Sequence, residues 1–406
     1  MIQRSLSYVR QFDRNLWALS LGWFVSALGF SASMPFISIY FHSSFGMSLT
    51  EIGVFFGVMA LVRSLFQAIG GEVSDRVQRR TMMIWSQMAR GLAFLLLAAT
   101  IYWDQGFWAV SSSLLVATIC GAIFHPVANA MVSDILPASK RLDGYAVTRA
   151  AGNLGWAAGP AIGGFLATAS YGLLFLISAV VTVASGVVFW TLMRTPQIST
   201  ITDRFRFSDI LKIKDDPLLA RHSVLIFLLY LVVAQLIVPF SVYSVEYVGI
   251  SKTQLGYLYT LNGLMVVALQ IPITRLLSRC SLASQLALGG FIYAVGYAMM
   301  GPLAGFEWFV VAIVVISLGE MAMSPPSLTL TSRLAPAGRM GRYMGVYGFF
   351  VASGWSFGPL FGGCILDWFA GSPVLAWILI SLLAAVSGMG YVVYRKRFSE
   401  RVEETT

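Results

Sequence analysis

The sequence predicts an all-α membrane protein with twelve spanning helices in two repeats of six. Three observations carry this: charges too few for a water-facing surface, twelve apolar runs of spanning length, and a long-range internal repeat. Of the 406 residues, 57% are hydrophobic and 11% are charged, and the mean hydropathy is +0.77. A soluble domain carries about a quarter charged residues. A soluble enzyme, a nucleic-acid-binding protein and a disordered linker are therefore excluded as descriptions of the whole chain.

A helix needs about 20 mostly apolar residues to cross the ~30 Å hydrocarbon core. Runs of that kind lie near 15–41, 51–71, 81–103, 108–135, 144–168 and 171–193. A second set lies near 219–245, 252–274, 282–304, 308–332, 343–366 and 373–394. The first run is of full spanning length, so a cleaved signal peptide is not expected. Residues 194–218 form the longest polar stretch, too short for a domain, and read as a cytoplasmic linker between halves 1–193 and 219–406. With twelve spans, the termini and the turns after spans 2, 4, 6, 8 and 10 share one side. That side holds 23 of the 27 Lys and Arg residues; the other side holds only Lys252, and Arg63, Arg90 and Arg149 lie inside spans. Basic residues concentrate in cytoplasmic loops, so both termini are expected to be cytoplasmic and the chain to lie in the inner membrane. The +9 charge is thus topological, and no nucleic-acid partner is expected. Cys120, Cys280 and Cys364 show no C-x-x-C or metal spacing and read as inert core residues. No metal, cofactor or catalytic group is expected.

The repeat is explicit. Gly155-Trp156-Ala157-Ala158-Gly159-Pro160-Ala161-Ile162-Gly163-Gly164 returns as Gly354-Trp355-Ser356-Phe357-Gly358-Pro359-Leu360-Phe361-Gly362-Gly363, 199 residues on. At that offset Pro126 matches Pro325, Pro137 matches Pro336, Arg76 matches Arg275 and Arg80 matches Arg279. Gly46-Met47-Ser48-Leu49-Thr50-Glu51-Ile52-Gly53 matches Gly249-Ile250-Ser251-Lys252-Thr253-Gln254-Leu255-Gly256 at an offset of 203. Duplicated halves are a mark of transporters, with the substrate near mid-membrane.

Gly71-Glu72-Val73-Ser74-Asp75-Arg76-Val77-Gln78-Arg79-Arg80 resembles the loop signature between spans 2 and 3 of the major facilitator superfamily. That pattern is Gly, three residues, Asp-Arg, one residue, Gly and two basic residues; Gln78 stands for its second Gly. The run from Gly155 to Gly164 is similar to the span-5 signature of that superfamily's antiporters, above all its drug:proton exporters. Arg63 and Arg90-Gly91 resemble one group of bacterial multidrug exporters. The resemblance implies two six-helix bundles around a cavity lined by spans 1, 4, 7 and 10, alternating access, and a monomer driven by the proton gradient.

Several residues could carry such a function. Gly71, Asp75, Arg76, Arg79 and Arg80, with Arg339 and Arg342 as partners, could form a cytoplasmic latch; the same charges could simply anchor the hairpin. Gly155, Gly159, Gly163 and Gly164, with Pro160 as a kink, allow close backbone approach, for gating or for plain packing. Glu320 lies deep in span 10 with Ser317 and Ser324 on its helix face. A carboxyl there can exchange a proton or meet a cationic substrate, or be a structural acid. Arg63 and Arg90 lie at matching depth on antiparallel spans and keep their charge. They bind main-chain and polar groups of their own half, or meet an anion. Arg149 is expected to pair with Asp134. His125, on a face with Gly121 and Asn129, could relay protons or be an ordinary core residue; His42 and His222 read as interface residues. Phe30, Met34, Asn129, Tyr230, Gln235, Asn262 and Ser324 are candidate cavity linings, with the bilayer, a small-molecule substrate and protons as partners. Without a phosphate-binding loop in the sequence, transport must be secondary. Three readings remain: a proton-coupled exporter of lipophilic or cationic compounds, a transporter of an organic anion or metabolite using Arg63 and Arg90, or a membrane sensor or enzyme.

Overall fold

A computed structural model describes residues 13–74, 77–137, 140–194, 216–302, 305–336 and 340–403. Among these residues the secondary structure is helical. The helices are α1 (Arg14–Phe45), α2 (Leu49–Ser74), α3 (Arg79–Tyr102), α4 (Phe107–Ile135), α5 (Arg141–Ala169), α6 (Tyr171–Leu192), α7 (Pro217–Val233), α8 (Lys252–Leu277), α9 (Leu282–Ala298), α10 (Phe306–Leu334), α11 (Met340–Trp368) and α12 (Pro373–Glu403). Each overlaps one of the twelve apolar runs. By length and composition, ten spans among the described residues can cross a membrane. The remaining two runs are α5, whose first turns carry Arg141, Asp143 and Arg149, and α9, which has 17 residues. The run expected to continue to 304 stops at Ala298 because Gly301 and Pro302 follow. Span 7 is also less regular than its composition suggests. Beyond Val233 it passes through a 3-10 turn, an α-turn opened by Pro239 and a π-turn ending at Tyr247.

Helix starts are chemically specified. Ser170 caps α6 by accepting from Leu173 N, Asp216 caps α7 at Leu218 N (3.0 Å) and Leu219 N (3.3 Å) ahead of Pro217, and Ser281 caps α9. The repeat at 46–53 and 249–256 encodes a shared turn and cap. Gly46 (φ +66°) and Gly249 (φ +82°) take the left-handed turn. Capping boxes follow: Ser48 N donates to Glu51 Oε2 (2.8 Å) and Glu51 N to Ser48 Oγ (3.2 Å). In the second copy Ser251 N donates to Gln254 Oε1 (2.8 Å) and Gln254 N to Ser251 Oγ (3.1 Å).

The chain divides into two compact units, taken separately below. One comprises Met1–Tyr40, Val58–Thr200 and Ser251–Gly263, and the other Phe41–Gly57, Ile201–Ile250 and Leu264–Thr406, so far as these are described. The polar stretch read as a linker lies almost entirely outside the described residues. Within the first unit α3 packs on α4 and α6; within the second, the matching α9 packs on α10 and α12.

Glycines set the closest approaches. In the first unit a Cβ on Gly155 would come within 2.6 Å of Phe24 O, and one on Gly159 within 2.8 Å of Ala32 N; Gly163 presses on Ala32 O. Three of the four small residues in the run therefore rest on α1. Ser31 Oγ also donates to Gly155 O at 3.1 Å. In the second unit Gly354, Gly358 and Gly362 rest likewise on Tyr230, Ala234 and Gln235 of span 7. The fourth glycine of each run, Gly164 or Gly363, abuts the first turn of a helix, at Lys252 or Leu49 respectively. That contact is reinforced differently in each unit. Thr168 Oγ1 lies 3.2 Å from Thr253 Oγ1 in the first, while Asp367 accepts from Thr50 N (2.7 Å) and Leu49 N (3.3 Å) in the second.

Replacing Gly159 by Val forces α5 away from α1. Overpacking of this kind costs about 1–3 kcal/mol, so the purified variant should unfold at a lower temperature than wild type. Gly348→Val, at a glycine whose Cβ meets nothing within 4 Å, should leave the midpoint nearly unchanged.

Candidate functional site

In the first unit the buried cation at mid-helix is Arg90, the twelfth of 24 residues in α3. It is 3% exposed. Its guanidinium carbon lies 4.5 Å from the Phe30 ring centroid and 5.5 Å from that of Phe94. Trp156 meets Phe30 edge-on at 5.7 Å, so the α5 seam on α1 helps fix the face on which Arg90 rests. The guanidinium also needs a gap in α4. A Cβ on Gly121 would come within 2.8 Å of its Cζ and 2.9 Å of its Nε. Arg90 Nε is buried without a hydrogen-bond acceptor among the described residues. Arg63, on α2, is exposed and, with Arg90, acts electrostatically on His125 of α4. His125 is half-buried beside Trp23, at 5.9 Å between ring centroids. Around Arg90 the unit thus places aromatic rings, a second arginine and an imidazole. Asn129 is exposed and Met34 half-buried.

In the second unit Glu320 is the central residue of the 29-residue α10 and is half-buried. It and Tyr230 interact electrostatically with Tyr293, which stacks on Tyr297 at 6.0 Å. Tyr230 meets Trp355 at 6.2 Å. The acid therefore lies within electrostatic range of the Tyr293 phenol. Ser317 is buried and bonded to Ile313 O; Ser324 and Asn262 are half-buried.

The offset of 199 ties these two arrangements together. Arg90 corresponds to Gly289 and Gly121 to Glu320, while Trp156 corresponds to Trp355 and Pro126 to Pro325. On matching helix pairs, the first unit has a cation over a glycine and the second a glycine paired with an acid. Gly289 packs against Met323 and Gly319 O.

Several expectations need correction. Asp134 pairs with Arg79 in a buried ion pair, with side-chain exposures of 2% and 3%, whereas Arg149 is exposed. The α3 start directs Arg79 onto α4 across the hairpin, leaving Arg149 on the outer face of α5. Arg80 donates to Trp190 O on α6. Gly71 lies in α2; Asp75, Arg76 and Arg339 lie outside the described residues, and Arg342 is half-buried. His222 is not an interface residue. It is fully buried on the inner face of α7, with Nδ1 2.9 Å from Tyr391 Oη and Nε2 3.0 Å from Thr331 Oγ1. Gln235 is fully buried rather than lining a cavity, donating to Leu231 O (2.6 Å) and Gly358 O (2.8 Å) where the chain leaves regular helix. Cys280 is exposed in a turn rather than buried in a core. His42 does sit at a helix end, its Nδ1 2.7 Å from Met47 O.

Among the described residues, helices apolar and long enough to cross a membrane, in a sequence that repeats itself, with Arg90 and Glu320 each at mid-helix, define an integral membrane transporter. The sequence profile of the Major Facilitator Superfamily matches residues 19–359 and 223–406, and the chain belongs to that superfamily. It is 23% identical to a Na(+), Li(+), K(+)/H(+) antiporter from Planococcus maritimus, over 96% of this chain and 98% of that protein. It is 22% identical to the multidrug resistance protein MdtH of Shigella boydii, over 93% and 94% of the two chains. A solved POT family transporter has the same fold, with a TM-score of 0.77 at 13% identity, covering 95% of this chain and 96% of the other.

Removing one partner of a buried ion pair costs about 3–5 kcal/mol, whereas an apolar replacement of both is far milder. Arg79→Met should therefore lower the thermal midpoint strongly, and the double variant Arg79→Met/Asp134→Leu should regain most of it.

Proposed function

We propose that the protein is a proton-coupled exporter of small lipophilic or cationic compounds in the inner membrane, acting as a monomer with both termini in the cytoplasm. Residues 1–193 and 219–406 are the two halves that alternate in access. The observation that carries the reading is Glu320, a carboxyl at the centre of a spanning helix within electrostatic range of Tyr293. An ionisable residue at that depth is costly and is kept where it carries ions or protons. Tyr230 and Trp355 suit an adaptable apolar substrate surface. The named activities of the antiporter and multidrug-resistance relatives support exchange and efflux. The latch at residues 71–80 belongs to the same proposal, as does gating through Gly155, Gly159, Gly163 and Gly164 with the kink at Pro160. A second reading, transport of organic anions, is favoured by the buried Arg90 in the first unit.

Everted vesicles energised to be acid inside test the coupling. A panel of lipophilic cations and anions should discharge the gradient with wild type, whereas Glu320→Gln should reduce that response by about two orders of magnitude or to background, as for loss of a proton-transfer group. A Glu320→Gln response equal to wild type would assign Glu320 a structural role.

A further inference from the structure

We infer that Arg90 is the docking point for a carboxylate on the exported compound, which makes the substrates lipophilic organic anions. This deepens the second reading above, by naming the group that is recognised and the residue that holds it, and rests on the exporter reading for the direction of transport. Arg90 keeps its charge at any accessible pH, yet it lies at the middle of a spanning helix, 3% exposed. Its Nε has no acceptor, and among the described residues no carboxylate reaches it. The described buried acid of this unit, Asp134, is held by Arg79. The nearest charged or titratable groups add positive charge or little charge: Arg63 and His125 on α2 and α4, and the Cys120 thiol. A cation in hydrocarbon is costly without an anionic partner, and the ring faces of Phe30 and Phe94 meet only part of that need.

Shape narrows the partner. The guanidinium fork pairs bidentately with a planar carboxylate, and Gly121 leaves the room for that fork to lie close to α4. Phe30 and Trp156 line one flank and Trp23 lies beside His125, surfaces that favour an apolar, ring-bearing body over a small hydrated ion. Arg63 is placed to attract the anion electrostatically, while Arg90, buried under the rings, binds it. Anionic lipid headgroups share this chemistry, and the test separates the two sources.

The probes are dansylglycine and its uncharged methyl ester, titrated into the purified full-length protein in phosphatidylcholine nanodiscs. A hydrogen-bonded charge contact contributes about 1.5–3 kcal/mol, so wild type should bind the acid about tenfold or more tightly than the ester. Arg90→Gln should erase that preference while leaving ester binding within about twofold, and Arg90→Lys should retain part of it. Gly121→Ala, which keeps every charge but displaces the guanidinium, should weaken only the acid. Equal affinities in wild type, or equal losses of both probes in Arg90→Gln, would overturn the proposal. So would loss of acid binding when phosphatidylglycerol replaces phosphatidylcholine, because the arginine would then belong to a lipid headgroup. Coupling is read in the everted-vesicle assay and anion recognition in this one, so a failure of either claim is distinguishable from a failure of the other.

Discussion

The structure depends on two seams at which glycine brings helix backbones into contact. Side chains cannot fill the gap between α5 and α1, or between α11 and span 7, because Gly155, Gly159 and Gly163, and their counterparts Gly354, Gly358 and Gly362, leave none to spare. Association inside a bilayer relies on such close packing rather than on the hydrophobic effect. Each seam also brings a tryptophan to an aromatic ring of the first helix of its half, Trp156 to Phe30 and Trp355 to Tyr230. The first of these pairs stands next to Arg90, so in that unit the packing solution and the candidate site are one construction.

Duplication then permitted divergence at a matched level. Arg90 fills the space over Gly121 in the first unit, and at the equivalent positions the second unit has Gly289 and Glu320. One repeat carries a permanent cation, the other a group that can change charge. The proposed division of labour follows from that difference: a fixed arginine suits recognition of an anion, and a carboxyl suits a proton. The fourth glycines show the same asymmetry. The first turn of α2 receives the carboxylate of Asp367, whereas the corresponding contact at α8 is between two threonine hydroxyls.

Much of this was legible in the sequence, and the limits have a physical cause. Most of the apolar runs became helices within a few residues of their expected ends, because a backbone in hydrocarbon has to satisfy its own hydrogen bonds; span 7, whose regular helix stops at Val233, is the main departure. The repeat at 46–53 and 249–256 is visible in the sequence, and Ser48 with Glu51 and Ser251 with Gln254 have the spacing of capping boxes. The mid-helix depth of Glu320 and the shared neighbourhood of Arg63, Arg90 and His125 follow from counting along helices. Partner choice does not. Arg79 reaches Asp134 across 55 residues, and His222 and Gln235 turn inward, according to helix rotation and crossing that composition leaves open. The gap at Gly121 that receives Arg90 likewise depends on how α3 and α4 meet.

The central claim is that proton movement through Glu320 drives export. Purified protein in liposomes, with an imposed pH gradient and a labelled lipophilic carboxylate, tests it most directly. Wild type should accumulate the compound above its equilibrium distribution and lose that accumulation with a protonophore, while Glu320→Gln should only equilibrate it. Uphill accumulation by Glu320→Gln, or simple equilibration by wild type, would contradict the account.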